Sequence, residues 1–152
     1  MQRAISIVEL AKLLQDQADR IRSGQSSHEL TDLVTRELAT DAIEGLDRSQ
    51  DLDDRPFQPL NRPRRDGTSK PLVATGTLRE ALESLRSQPS MARDAGPWQS
   101  IRQQVPYSVY HQMGTRRIPR RRFFGPGKRF RTRMGRALTS WVQHWLENMG
   151  GG

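Results

Sequence analysis

Between Ser49 and Pro71 the chain runs SQDLDDRPFQPLNRPRRDGTSKP, with four prolines and one glycine. Proline has no amide hydrogen and a fixed φ, so neither a helix interior nor a central strand passes through such a stretch. The segment therefore divides the chain into two blocks that must build any core together. Irregular connections of this length are uncommon inside a small domain unless they serve a partner or are held by one. Phe57 and Leu60 are its only sizeable apolar groups besides Leu52, and they are the expected points at which it docks.

Helical periodicity fills the block before it. Val8, Ala11, Leu14, Ala18 and Ile21 step by three or four residues and predict a helix over Ile5 to Arg22. RSGQSS interrupts it, with Gly24 as a stop and Ser26 followed by Glu29 as a capping box. A second helix is expected from about Ser27 to Asp47, with Leu30, Leu33, Val34, Leu38 and Ala42 inward. After the proline-rich stretch, Thr75 or Thr77 can cap a short helix in which Leu78, Leu82 and Leu85 share a face. In WQSIRQQV the alternation of Trp98 and Ser100, then Ile101, Gln103 and Val105, suggests a strand or hairpin within 86–106. A last helix is predicted from Lys128 to Met149, its stripe formed by Phe130, Met134, Ala137, Leu138, Trp141, Val142, Trp145 and Leu146. The expectation is a single α+β domain spanning 1–152: N-terminal helices, a long proline-rich loop, a small antiparallel sheet and a C-terminal helix.

Composition narrows what such a domain can do. Hydrophobic residues make up 34% of the 152, below the roughly 45–50% of globular domains even when glycine is counted, so part of the chain is expected to be arm or partner-covered surface. There is no cysteine, which removes disulfides, thiolate metal sites and a cysteine nucleophile. No run approaches a membrane span or the apolar core of a signal peptide, so the chain reads as cytosolic where it is made. The net charge is +8, and it is unevenly placed. Residues 101–152 carry eleven Arg and Lys against Glu147 alone, giving +10, whereas residues 1–100 carry fourteen basic against sixteen acidic residues, giving −2. A chain polarised in this way suits an acidic partner met by one face, a nucleic acid or an acidic protein surface.

Catalysis would have to be built from His28, His111, His144 and carboxylates, since no G-x-S-x-G, H-E-x-x-H or phosphate-loop spacing occurs. His28 and His144 read as surface groups. His111 lies among Tyr107, Tyr110 and Gln112, a grouping that fits a buried hydrogen-bond network better than an acid–base site. No acidic residue follows it within twenty-five positions. The histidines show no paired spacing for a metal, and GPG and GGG stand without a preceding strand, so neither metal nor cofactor is expected. Arg116, Arg117, Arg120, Arg121 and Arg122 beside Phe123 and Phe124 combine phosphate-pairing charge with rings that could stack. An alternative is thus a basic nucleic-acid-binding protein using the Arg116–Arg136 region, although no helix-turn-helix, RNA-recognition or zinc-finger pattern accompanies it.

Two segments, PLVATGTLREAL (71–82) and PYSVYHQMGTRRIPRRRFFG (106–125), together resemble the signature of the phage virion morphogenesis family, the Mu-like tail completion proteins. The matching residues are Leu72, Thr75, Gly76 and Leu78, then Tyr107, His111, Gln112, Gly114, Ile118, Pro119, Arg121, Phe123 and Gly125. FQPL (57–60) is similar to an aromatic-x-Pro-Leu stretch of that family, with Phe57 in place of tryptophan. Ser108 stands where an alanine is usual, and Arg120 and Arg122 where alanine and proline are. The resemblance implies a non-catalytic structural protein of the virion that completes or terminates the tail at the head–tail junction, the neck. It implies a ring of identical subunits, a hexamer, with tail tube, sheath and head-completion proteins as neighbours. DNA in the channel is a further implied contact, and assembly takes place in the host cytoplasm. Residues Arg116, Arg117, Arg120, Arg121, Arg122, Phe123 and Phe124 are then the expected contact set, the arginines meeting carboxylates of an adjacent subunit or of a tail protein.

Overall fold

A computed structural model describes residues 6–60, 62, 65, 72 and 76–150. They form α1 (Ile7–Arg22), α2 (Gln25–Arg48), α3 (Thr77–Ser87), a 3-10 turn (Pro89–Ala92), α4 (Pro97–Gln104), α5 (Ser108–Met113) and α6 (Lys128–Gly150). Among the described residues there is no sheet, only an isolated bridge between Gln50 and Pro56. The α+β expectation is therefore corrected: the fold is helical.

The error lies in WQSIRQQV, which is α4. Ile101 and Val105 are both fully buried, and their separation of four residues satisfies a period of two as well as a period of 3.6. Pro97 decides between the two, because a proline at the first helical position lacks only a hydrogen that would go unused there. Its helix then closes through Ser100 N–H donating to Gly96 O and Val105 N–H to Ile101 O.

α2 is the central element and packs against α1, α3, the 3-10 turn and α6. Ala39, Ala42, Ile43 and Leu46 of α2 face Leu78, Ala81, Leu82 and Leu85 of α3, and Ala92, Ile101, Val105, Phe57, Leu72, Phe123 and Phe124 complete the core. Trp98 covers it, stacked on Phe124 with centroids 6.0 Å apart and edge-on to Phe123 at 6.1 Å. Of the residues expected inward on α2, Ala42 is buried while Leu30, Leu33, Val34 and Leu38 are half-buried. Ser26 is not at the cap position: α2 already includes it, its cap is Gly24, and the Ser27 hydroxyl donates to Gly24 O at 2.7 Å. Of the two proposed caps for α3, Thr77 is its first residue after Gly76, and Thr75 lies outside the described residues.

The start of the proline-rich stretch is a tight turn. Asp51 Oδ1 accepts from the backbone N–H of Asp53 and of Arg55, both at 2.9 Å, and Phe57 N–H donates to Ser49 O at 2.8 Å. The turn aims Phe57 inward, as expected, but its second buried group is Leu52 rather than Leu60, which is half-buried. Leu52 also joins the C-terminal block: its N–H donates to Arg122 O and its carbonyl accepts from Lys128 N–H at 2.9 Å. That approach requires Gly127, where a Cβ would fall 2.2 Å from the Leu52 carbonyl oxygen.

Two apolar faces remain outside this packing. On α1, Ile7, Val8 and Leu14 are 86%, 78% and 60% exposed. On α6, Phe130 and Met134 are buried, but Leu138, Val142 and Leu146 are 39%, 43% and 51% exposed. Constant steps of four residues explain the difference, since at about 100° per residue each step advances the stripe about 40° around the helix. By Leu138 it has left the face that meets α2. Among the described residues no helix is long and apolar enough to cross a membrane.

Candidate functional site

The stretch from Tyr107 to Gly127 is built as a helix and a return strand-like arm, held mainly by the side chains of Gln112 and Arg121. α5 ends at Gly114, whose φ of 75 lies in the left-handed region and whose added Cβ would sit 3.0–3.1 Å from the backbone and Cβ of Arg120. Glycine is required there on both counts. Thr115 then makes the reversal: its Oγ1 accepts from Arg117 and Ile118 N–H, and its own N–H donates to Ile118 O at 2.8 Å. Past Pro119 the chain runs back along α5, with Arg121 N–H donating to His111 O at 2.7 Å.

Gln112 closes the structure. Its Oε1 accepts from the backbone N–H of Phe123 and Phe124 at 3.1 and 3.2 Å, and its Nε2 donates to Phe124 O at 2.7 Å. The arm has no partner strand among the described residues, and this one amide satisfies the backbone groups of Phe123 N–H, Phe124 N–H and Phe124 O. The two phenylalanines are thereby delivered into the core, 1% and 5% exposed.

Arg121 is also interior, 3% exposed. Its guanidinium donates to the carbonyls of Gln58 and Pro59 at 2.9 and 3.3 Å, and Nη1 lies 3.5 Å from His111 Nδ1. His111 in turn meets the Tyr107 ring edge-on at 6.1 Å. The FQPL segment, the HQ pair and the arm are thus tied at a single arginine. Of the seven residues expected to form a contact surface, three point inward: Arg121, Phe123 and Phe124. Arg122 is half-buried and pairs with Asp53 at 3.7 Å. Arg116, Arg117 and Arg120 are exposed and make no ion pair among the described residues. Ile118, Pro119 and Gly125 are half-buried, and Leu72 and Leu78 belong to the core.

A second charged cluster joins α6 to α2. Arg129, whose side chain is 9% exposed, lies 3.1 Å from Asp41 and 2.8 Å from Asp54. Arg133 pairs with Glu44 and lies 3.7 Å from Glu37. Burial pushes the Asp41 carboxyl above its ordinary pKa even with Arg129 beside it, and Asp41 Oδ2 is buried without a hydrogen-bond partner. Burial would lower the Arg129 guanidinium, but Asp41 and Asp54 outweigh it, and its pKa lies above the ordinary value. Arginines in the first turns of α6 oppose its macrodipole, and carboxylates of the protein itself supply the compensation. This cluster escaped the sequence reading, yet a signal was present. Glu37, Asp41 and Glu44 repeat at helical spacing, as do Arg129 and Arg133, so each set marks one face.

No family model, curated protein or solved structure matches the chain.

A groove of about 660 Å³ separates α1, α2 and the end of α6, lined by Leu33, Trp141 and Trp145 with Arg20, Asp32 and Arg36 at its polar side. Asp32 is tied to Arg93, 2.9 Å from its Nε, and that guanidinium holds the carboxyl below its ordinary pKa. The groove and the exposed faces of α1 and α6 lie on the same helices, so the uncovered apolar surface is spread over both ends of the chain.

Proposed function

We propose that the chain is a structural assembly subunit that acts by packing against copies of itself and neighbouring proteins, as a tail completion or terminator component at a phage head–tail junction. The observation that carries this is the pair of uncovered apolar faces, Ile7, Val8 and Leu14 on α1 and Leu138, Val142 and Leu146 on α6. Contiguous apolar surface of this kind on a soluble domain marks a surface made for a partner. Two different faces on one subunit suit a heterologous, ring-forming contact, in which one patch meets a different patch on the next copy. The similarity to the tail completion family adds the location, and its residues build one coherent unit here: Gln112, Gly114 and Arg121 all hold the arm that carries Phe123 and Phe124. The arginines with exposed side chains for a neighbour's carboxylates are Arg116, Arg117 and Arg120, the last with its Nε donating to Gln112 O, whereas Arg121 is buried and committed to backbone carbonyls.

Light scattering after size-exclusion chromatography, with and without tail-tube protein, tests the assignment. A discrete closed oligomer is expected from the wild type, and a monomer of unchanged helix content from Leu138→Glu/Leu146→Glu. A wild type that stays monomeric under both conditions overturns it.

A further inference from the structure

The outer face of the first half of α6 differs from both apolar faces. Lys128, Arg131 and Arg136 are exposed on it, and Arg48 at the end of α2 is exposed beside it. None of the four side chains makes a hydrogen bond or ion pair among the described residues. Arg48, Lys128 and Arg136 line a groove of about 510 Å³ between the two helices, together with Thr132 and Ser140. Of its three carboxylates, Glu44 pairs with Arg133 and Asp54 with Arg129, while Glu37 lies 3.7 Å from Arg133 Nε without a hydrogen bond, against five cations in the lining. What remains is a net excess of cations. The groove continues onto a shallow strip formed by Arg131, Gly135, Thr139 and Ser140.

We infer that this face binds the phosphodiester backbone of a nucleic-acid duplex without reading its sequence. Among the described residues Ala137 is the sole apolar side chain lining the groove, whereas protein–protein interfaces have cores rich in aromatic and apolar groups. Polar, strongly cationic surfaces are the composition of nucleic-acid interfaces, in which arginine, lysine and hydroxyl groups contact phosphate. Gly135 has open space where a side chain would stand, so a backbone can approach the helix between Arg131 and Arg136. Thr132 and Thr139 return their hydroxyl protons to their own helix, at Lys128 O and Gly135 O, which leaves the cations and Ser140 as the phosphate donors. This inference stands on residues separate from those that carry the assembly assignment, and either can fail alone.

Fluorescence anisotropy with labelled 30-base-pair DNA and RNA duplexes, each in two unrelated sequences, tests it across a salt series. About 0.9 counterions are released per phosphate neutralised on B-DNA, so four cations give a log–log slope of roughly −3 to −4. The two sequences should bind within about twofold of each other. Arg131→Gln/Arg136→Gln should weaken binding at least tenfold near 50 mM salt and reduce the slope by about two. Arg116→Gln/Arg117→Gln should change neither quantity. No binding by the wild type, unchanged binding by Arg131→Gln/Arg136→Gln, loss confined to Arg116→Gln/Arg117→Gln, or equal competition by polyglutamate would each overturn the inference.

Discussion

Ser108 is fully buried, and its hydroxyl has no hydrogen-bond partner. A hydroxyl taken out of water without a partner is destabilising by about 1–3 kcal/mol, so Ser108→Ala should raise the melting temperature, a gain that calorimetry would read directly. Gln112 is the opposite case. Gln112→Leu removes one side chain and leaves the N–H groups of Phe123 and Phe124 unsatisfied, which should destabilise the fold by at least about 1–3 kcal/mol. Urea denaturation compares the two, and similar midpoints would contradict the account of the arm. Gly127→Ala and Gly135→Ala make a second pair. The first drives a methyl group into the Leu52 carbonyl and should be strongly destabilising, whereas the second meets nothing within 4 Å and should stabilise α6 by about 0.5–1 kcal/mol through helix propensity.

At the scale of elements, the salt bridge between Arg93, just after the 3-10 turn, and Asp32 on α2 gives a pH signature. The Asp32 pKa is lowered in the folded protein, so its stabilisation is present above the ordinary aspartate range and lost as pH falls through the lowered value. Asp32→Asn should therefore melt earlier than wild type at pH 7, and the two melting curves should converge in acid. Helices with a periodic apolar pattern were readable from sequence: α1, α2 and α6 lie close to their expected bounds, and α3 buries the expected face of Leu78, Leu82 and Leu85. α4 was not, because Ile101 and Val105 fit both periods and only Pro97 separated them. α5 escaped notice for a different reason: it has six residues, too few to show a period, and what fixes it is the set of bonds from Gln112 to the arm and from Thr115 in the turn after it. Gly114 and Pro119 mark the turn and the extended run of the arm in the sequence, but nothing there gives the direction of its side chains. Five arginines in one short run look alike in sequence, and only the carbonyls of Gln58 and Pro59 single out Arg121.

For the whole molecule, the Arg129 cluster unites three distant segments: α2 through Asp41, the turn after it through Asp54, and α6. Arg129→Met would leave Asp41 buried without its cation, and removing one member of a buried pair typically costs about 3–5 kcal/mol. The variant should unfold at clearly lower denaturant, whereas Arg131→Met on the exposed side should not. Asp41 and Arg129 are 88 residues apart in sequence. At synthesis rates of about 5–20 residues per second, roughly 4–18 s pass between the making of the carboxylate and of its cation. During translation α2 must wait, its acidic face solvated, for the last helix to arrive, and a nascent chain interrupted before residue 128 has no means of closing that side of the molecule.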